Sequence, residues 1–391
     1  MPTRADAAAA ARPKFLGGPL LPRTMFLHRL AITLLLCLGA AQRVRVNPYG
    51  GSDSEDLERE IVEVSADGLT EEDWETPIPT SPAAKVDREL AVLEMFGRLP
   101  DAQLAGIEAL DLVLAAWRLV KPDLNQTHVE EMLAPVVVAA NAAWLTVGPD
   151  KPIQLRARAL VQAISQHVRP AEGAAPILTG AGVYETYSLP GVLEGGRGHC
   201  EGLATLYYVV GDLINVDVAM INLPVHTVVQ INTSRHLTVD AAETTQSIFV
   251  DPTKGATRSL FKVERMNGLR PNAARDGGPY LRPLSRRQLL ALQANALAFA
   301  VVKQHEQRSG PPPPLSMDQL ARVARLVATL DPDRPESLET AAVVLSRHGD
   351  HASAAAHIEH AIAQADAFGA PAEVIRHYHK VRREVSEARP Y

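Results

Sequence analysis

The 391-residue sequence contains only two cysteines, Cys37 and Cys200. A disulfide framework is therefore excluded, and each thiol needs its own explanation. No uninterrupted apolar run reaches the ~18 to 20 residues that a spanning helix needs, which excludes a multi-pass membrane protein. Positive charge is also in deficit. The 39 Lys and Arg against 45 Asp and Glu leave a net charge of −6, which argues against broad binding to a phosphate backbone, so no nucleic-acid partner is expected. The chain has no phosphate-cradling glycine loop, no paired metal-ligand cluster and no flavin fingerprint, so no cofactor or metal is expected. What is plentiful is apolar material. At 46% hydrophobic residues the chain can fill a large core or two to three domains, and a wholly disordered protein is excluded.

Residues 1–41 read as an address. His28 and Arg29 precede Leu-Ala-Ile-Thr-Leu-Leu-Leu-Cys-Leu-Gly-Ala-Ala from Leu30 to Ala41, the basic, apolar, small order of a secretory signal peptide. Met25 opens a compact leader, which places the signal at 25–41 with cleavage after Ala40 or Ala41. Cys37 leaves with it, because Leu36 stands where a lipidation pattern requires a small residue. The exported chain, periplasmic or secreted, then carries Cys200 as a lone, unpaired thiol. Cytoplasmic residence or an N-terminal membrane anchor are the alternatives. Residues 42–84 read as a solvated linker: eleven acids between Asp53 and Glu75 face only Arg59, and a Pro-Ile-Pro-Thr-Ser-Pro stretch follows. Such a segment repels itself and stays extended.

Three textures follow. Over 85–172 apolar residues recur at three and four positions, as in Leu90, Leu93, Phe96 and Leu104, Ile107, Leu110, Leu114, which predicts a helical lobe with Trp117 and Trp144 as core fillers. Over 173–282 a glycine-rich loop leads into an apolar helix from Cys200 to Val210, then into β-rich runs at Val216–Ile221, Thr227–Ile231, His236–Asp240 and Ser247–Val250. Short connections between these runs predict a small antiparallel sheet with a helix packed on it, so the fold class is α+β. Over 283–391 helical periodicity returns at Leu289–His305, Met317–Leu330, Ala341–Ile362 and Pro371–Ala388. The Gly349-Asp350 turn and its small residues are placed as in a tetratricopeptide helix pair, a unit that must stack on neighbours to bury its face. His348, His351, His357, His360, His377 and His379 fall in this tail. Without a ligand pattern to complete them they read as solvated or interface residues.

Chemistry concentrates at Gly195-Gly-Arg-Gly-His-Cys200-Glu-Gly. The glycines permit a tight approach, and a cysteine opening a buried helix sits among unpaired N–H groups that favour a thiolate and can cradle an oxyanion. His226, in Asn-Leu-Pro-Val-His at the mouth of a strand, is the candidate base. Asp251, in Val-Asp-Pro-Thr at the end of another strand, is the candidate orienting acid. Asp240, with His236 on a neighbouring run, competes for that role, and Asp251 before Pro252 can equally begin a turn. His199 reads as a loop residue. Tyr184 and Tyr187 are candidate oxyanion donors that nothing in the sequence places.

This set of motifs resembles the transglutaminase-like branch of the papain-type cysteine enzymes. Tyr187-Ser-Leu-Pro-Gly-Val-Leu-Glu-Gly-Gly-Arg-Gly upstream, Asn-Leu-Pro-x-His downstream, the Trp-Arg-Leu-Val-Lys-Pro-Asp-Leu of the helical lobe and the repeat-like tail are similar to a bacterial subgroup with a transglutaminase-like core and a tetratricopeptide-like tail. The likeness covers about Ala91 to Ile362. It implies Cys200 as nucleophile, His226 as general base and Asp251 as its acid, with Asp251 preferred over Asp240 by analogy. Val225 replaces the glycine frequent before the family's histidine. The expectation is a cysteine peptidase, amidase or transglutaminase-like acyltransferase acting on a protein or peptide amide through a thioester. The alternative is an inactive core whose helical tail binds a protein partner as a scaffold.

Overall fold

The computed structural model describes residues 81–171, 180–224, 226–232, 247–269, 279–306 and 312–387. The expected signal peptide, nearly all of the acidic linker, Val225, and the His236–Asp240 run with its candidate Asp240 lie outside the described residues. The first described helix, α1 (Pro82–Arg98), starts three residues before the apolar period indicates. Ser81 accepts a hydrogen bond from the Ala84 N–H at 3.2 Å, and a proline at the first turn fits the helix start.

The helical lobe continues through α2 (Asp101–Leu104), α3 (Ala109–Trp117), α4 (Gln126–Val147) and α5 (Ile153–Ser165). Helix α3 is almost wholly buried, and Trp117 is a core residue as expected. Helix α4 is long and apolar enough, by length and composition, to cross a membrane. It packs chiefly against α5 and buries Val129, Leu133, Val136, Ala140 and Trp144, while Val138 and Leu145 stay 68% and 67% exposed.

The central part begins with β1 (Arg169–Pro170), α6 (Gly180–Tyr187), α7 (Leu189–Gly195) and β2 (Arg197–Gly198), the two short strands pairing in parallel. Then comes α8 (Cys200–Leu213), longer than expected because its apolar face runs on to Gly211. The sheet has the order β3-β4-β5-β6 and is antiparallel throughout. Its strands are β3 (Val218–Leu223), β4 (His226–Asn232), β5 (Ser247–Asp251) and β6 (Ala256–Arg258). The last has no apolar alternation and is not apparent from the sequence. Helix α8 packs on β3 and β4, which bury all six residues of β3 and four of the seven of β4. The short helix α9 (Leu260–Met266) follows β6, and the outer edge of β3 is met by the returning chain, where Leu284 N–H donates to Met220 O at 2.9 Å.

Five helices complete the described chain: α10 (Arg286–Glu306), α11 (Met317–Leu330), α12 (Pro335–His348), α13 (His351–Ala367) and α14 (Ala372–Glu387). They pack pairwise in chain order, and α12 also touches α10 and α14. The Gly-Asp turn between α12 and α13 is as expected: Gly349 takes φ +96°, and Asp350 caps α13 by accepting from Ser353 N–H at 3.2 Å. Helix α10 is buried on nearly all sides between Leu289 and Val302, with Gln293 and Asn295 its only polar residues there, and lies inside the fold against α3, α6, α11 and α12. One contiguous apolar cluster runs from Val86 in α1 to Val385 in α14.

The three parts meet at one buried side chain on α10. Trp117 Nε1–H donates to Gln293 Oε1 at 2.8 Å, and Gln293 Nε2–H donates to Thr205 Oγ1 on α8 at 3.0 Å. Replacing Gln293 by Leu removes both partners and leaves the indole N–H buried without an acceptor. We expect a loss of about 2–4 kcal/mol, read from urea unfolding of the full chain; an unchanged midpoint would contradict this role.

Candidate active site

Cys200 is the first residue of α8, and its placement is local. His199 is the helix N-cap, with its own N–H held by Thr186 O at 2.9 Å. The flanking glycines are steric requirements. A Cβ on Gly202 would lie 2.5 Å from Thr186 O and 2.8 Å from Val192 Cγ2, and one on Gly198 would lie 2.8 Å from Val192 Cγ2. Only without side chains can α8 approach the 186–192 segment this closely, which explains the glycines on either side of His-Cys-Glu. Cys200 is partly exposed and is the free thiol of the described residues.

His226 is the first residue of β4, across from Leu223, so a two-residue connection sets it at the end of the sheet. The connection is braced by Thr227 Oγ1–H donating to Asn222 Oδ1 at 3.0 Å in a buried position. Strands β4 and β5 pair with Val229 opposite Val250. One more step of that register puts Asp251 opposite Val228, diagonal to His226 and on the same face. His226 Nε2 lies 3.5 Å from Asp251 Oδ1, and the same imidazole interacts with the Cys200 thiol. The three residues singled out in the sequence are thus brought together.

Asp251 also makes the turn that was its alternative explanation. Its Oδ1 accepts from Thr253 N–H at 3.1 Å and from Thr253 Oγ1–H at 2.7 Å. The turn and the contact with His226 are compatible because one locks the carboxylate that the other uses. The charges support each other. Burial alone lowers the pKa of His226, but its hydrogen bonds to Asp251 and Cys200 and their charges outweigh this and raise it to about 9. Burial raises that of Asp251, and the hydrogen bonds from His226 and Thr253 outweigh it, bringing it to about 2.

Of the two tyrosines, Tyr187 lines the cavity with Cys200, whereas Tyr184 does not: its ring stands edge-on to Trp117 and its hydroxyl accepts from Lys121 Nζ at 3.1 Å. Burial, then the charges of Cys200 and Glu201, push the Tyr187 phenol far above its ordinary range, so it stays a donor. His199 is more than a loop residue. It is buried, its ring packs on Tyr187 at 5.1 Å between centroids, and burial lowers its pKa. The tail histidines face other partners: His348 pairs with Asp318 at 2.9 Å, His377 with Glu339 at 2.6 Å, and His360 meets Gln364 at 2.8 Å. Among the described residues there is no cluster of three or more potential metal ligands.

The cavity in front of Cys200 has a volume of about 240 Å³. Half of its wall was not foreseen. Asn295 and Phe299 of α10, and Arg334, Glu336 and Glu339 at α12, face Cys200 and His226 across it. The one signal in the sequence was the charged Asp331-Pro-Asp-Arg-Pro-Glu turn between two apolar helices, unusual in a segment otherwise reading as packing surface.

Residues 183–292 match the family model of the transglutaminase-like superfamily. Over this segment the chain is similar to transglutaminase-like domains. The match starts within α6, spans Cys200, His226 and Asp251, and ends on α10. No curated protein and no solved structure matches the chain.

Two outcomes are expected. His226→Ala removes the candidate base beside Cys200 and should slow its alkylation by iodoacetamide by about 10²-fold; equal rates would uncouple the pair. The raised His226 also contributes stability in full below its unfolded value of 6.5, and this is lost as pH rises through about 9. The depressed Asp251 contributes above 3.8, and this is lost as pH falls through about 2. Chemical denaturation should therefore show His226→Ala about 2–3 kcal/mol less stable than wild type near pH 5.5, with the gap closing above pH ~9.5.

Proposed function

We propose that the chain is a thiol acyl-transfer enzyme of transglutaminase-like type acting on an amide or peptide bond, with Cys200, His226 and Asp251 as its catalytic residues. The observation that supports this is a single imidazole that shares a cavity and interacts with the thiol at a helix start, and that lies 3.5 Å from a buried carboxylate. Function follows from that arrangement in four movements. The Cys200 thiolate attacks the carbonyl carbon, and the oxyanion is met by N–H groups at the start of α8, with the Tyr187 hydroxyl as a further donor. His226, held as imidazolium, gives its proton to the leaving nitrogen while the carbon–nitrogen bond breaks, leaving a thioester on Cys200. Now neutral, His226 takes a proton from the incoming water or amine. That nucleophile attacks the thioester and releases the thiolate.

Asp251 fixes the ring and stabilises its charged form in both halves of the cycle. Hydrolysis and transamidation share every step but the acceptor, so peptidase, amidase and transglutaminase chemistry use the same residues. We place the reaction outside the cytoplasm, on the basic, apolar, small order of residues 25–41. The helices after Arg286 are read as a tetratricopeptide-like tail that is also part of the cavity wall.

The test is acyl-enzyme formation from p-nitrophenyl acetate. Wild type should release p-nitrophenolate in a burst equal to one acyl group per chain, and Cys200→Ala should show none. Asp251→Asn should keep the burst site but turn over about 10²- to 10⁴-fold more slowly. Full turnover by Cys200→Ala would overturn the mechanism.

A further inference from the structure

The cavity wall opposite Cys200 contains buried polar atoms that the reaction above does not use. Arg334, just ahead of α12, is 1% exposed. Its Nε–H pairs with Asp331 Oδ2, but Nη1 and Nη2 have no hydrogen-bond partner. The same holds for Glu201 Oε1, Glu336 Oε2 and Asn295 Oδ1 on the walls of the same cavity. A buried guanidinium with two idle donor groups is costly, and folded chains do not accumulate such groups without a use for them.

The fork is not filled from within. Asp331 covers only the Nε edge, and its Oδ1 is taken by Gln288 Nε2–H at 3.1 Å. Glu201 and Glu336 feel the charge of Arg334 but make no ion pair with it. Burial pushes their carboxyls up to about 8 and about 7, so near neutral pH Glu201 leans toward the uncharged acid and Glu336 is divided between its two forms. Arg334 lines the cavity, and its unpaired Nη1 and Nη2 make it a positive, planar, two-pronged donor there. An ammonium group would be repelled by it and an apolar group would leave it orphaned, whereas a carboxylate accepts two parallel N–H bonds from it.

We propose that Arg334 is the specificity-determining residue of the Cys200 site and binds a carboxylate carried by the acyl substrate close to the bond under attack. This rests on Cys200 being the nucleophile. The carboxylate has two sources, the end of a peptide chain or an acidic side chain, and both present the same planar group. Glu201, beside Cys200, and Glu336, two residues after Arg334, line the same cavity, and either can donate to the carboxylate when protonated. Asn295 Oδ1 is free to accept an N–H from the same substrate.

The experiment compares alkylation of Cys200 by iodoacetate, which carries the carboxylate, with alkylation by iodoacetamide, its neutral analogue. The imidazolium of His226 also draws anions, so the deciding quantity is the change in the iodoacetate to iodoacetamide rate ratio when Arg334 is altered. In the full chain at pH 7 that ratio should fall by about tenfold in Arg334→Met, with the iodoacetamide rate nearly unchanged. Arg334→Lys keeps the charge beside Asp331 but loses the fork; it should fold where the Met variant fails, and its ratio should still fall several-fold. Acetylglycine and acetylglutamate amide, as competitors, then report the source: the one that slows wild-type labelling more identifies a chain end or a side chain. A ratio untouched in both variants, with Cys200 still reactive, would overturn the subsite and leave the nucleophile standing. No labelling by either reagent would overturn both.

Discussion

The structure depends on the buried amide of Gln293. Its oxygen takes the indole N–H of Trp117 from the first lobe, and its nitrogen donates to Thr205, whose hydroxyl in turn donates to the carbonyl of Glu201. That carbonyl belongs to the residue after Cys200. An amide serves here because it offers one acceptor and a donor in fixed geometry, and the low dielectric around it makes each bond strong and each omission costly. The position of the thiol along α8 is thereby tied to the lobe before it and to the helix after it. The site geometry thus belongs to the described fold as a whole, beyond the 110 residues that carry the family likeness.

A second tie works from the far end of α8. Asp212 accepts from the Ala109 N–H at 3.1 Å, capping α3, and pairs with Arg286 at 2.6 Å at the start of α10. The cysteine helix is thus anchored near both ends to the same two neighbours. Catalysis by positioning needs a rigid nucleophile, because a misplacement of an ångström costs orders of magnitude in rate.

Much of this was legible beforehand for identifiable reasons. Met317–Leu330 reads as a helix to the residue because Ser316 and Gln319 form a capping box and the apolar face repeats without interruption. Cys200, His226 and Asp251 were legible because each sits where an element begins or ends, marked by glycine or proline. Arg334, Glu336 and Asn295 were not. They come from segments whose periodicity announces packing, and only the tertiary arrangement of α10 and α12 turns those positions toward a cavity more than a hundred residues away in sequence from part of its wall. Strand β6 was missed because three half-buried residues show no alternation.

The described residues also make contacts across long stretches of sequence. Glu94 in α1 receives both ends of a fork from Arg322 in α11, 228 residues later, and Arg287 reaches back 190 residues to the carbonyl of Gly97. Contacts of such sequence separation form late, because the loop they close must first be ordered. During synthesis the cysteine helix emerges more than a hundred residues before Arg334 does, and through that interval the cavity has only one of its walls. On the proposed function, Cys200 therefore gains the second wall of its cavity only once the chain has been made through α12.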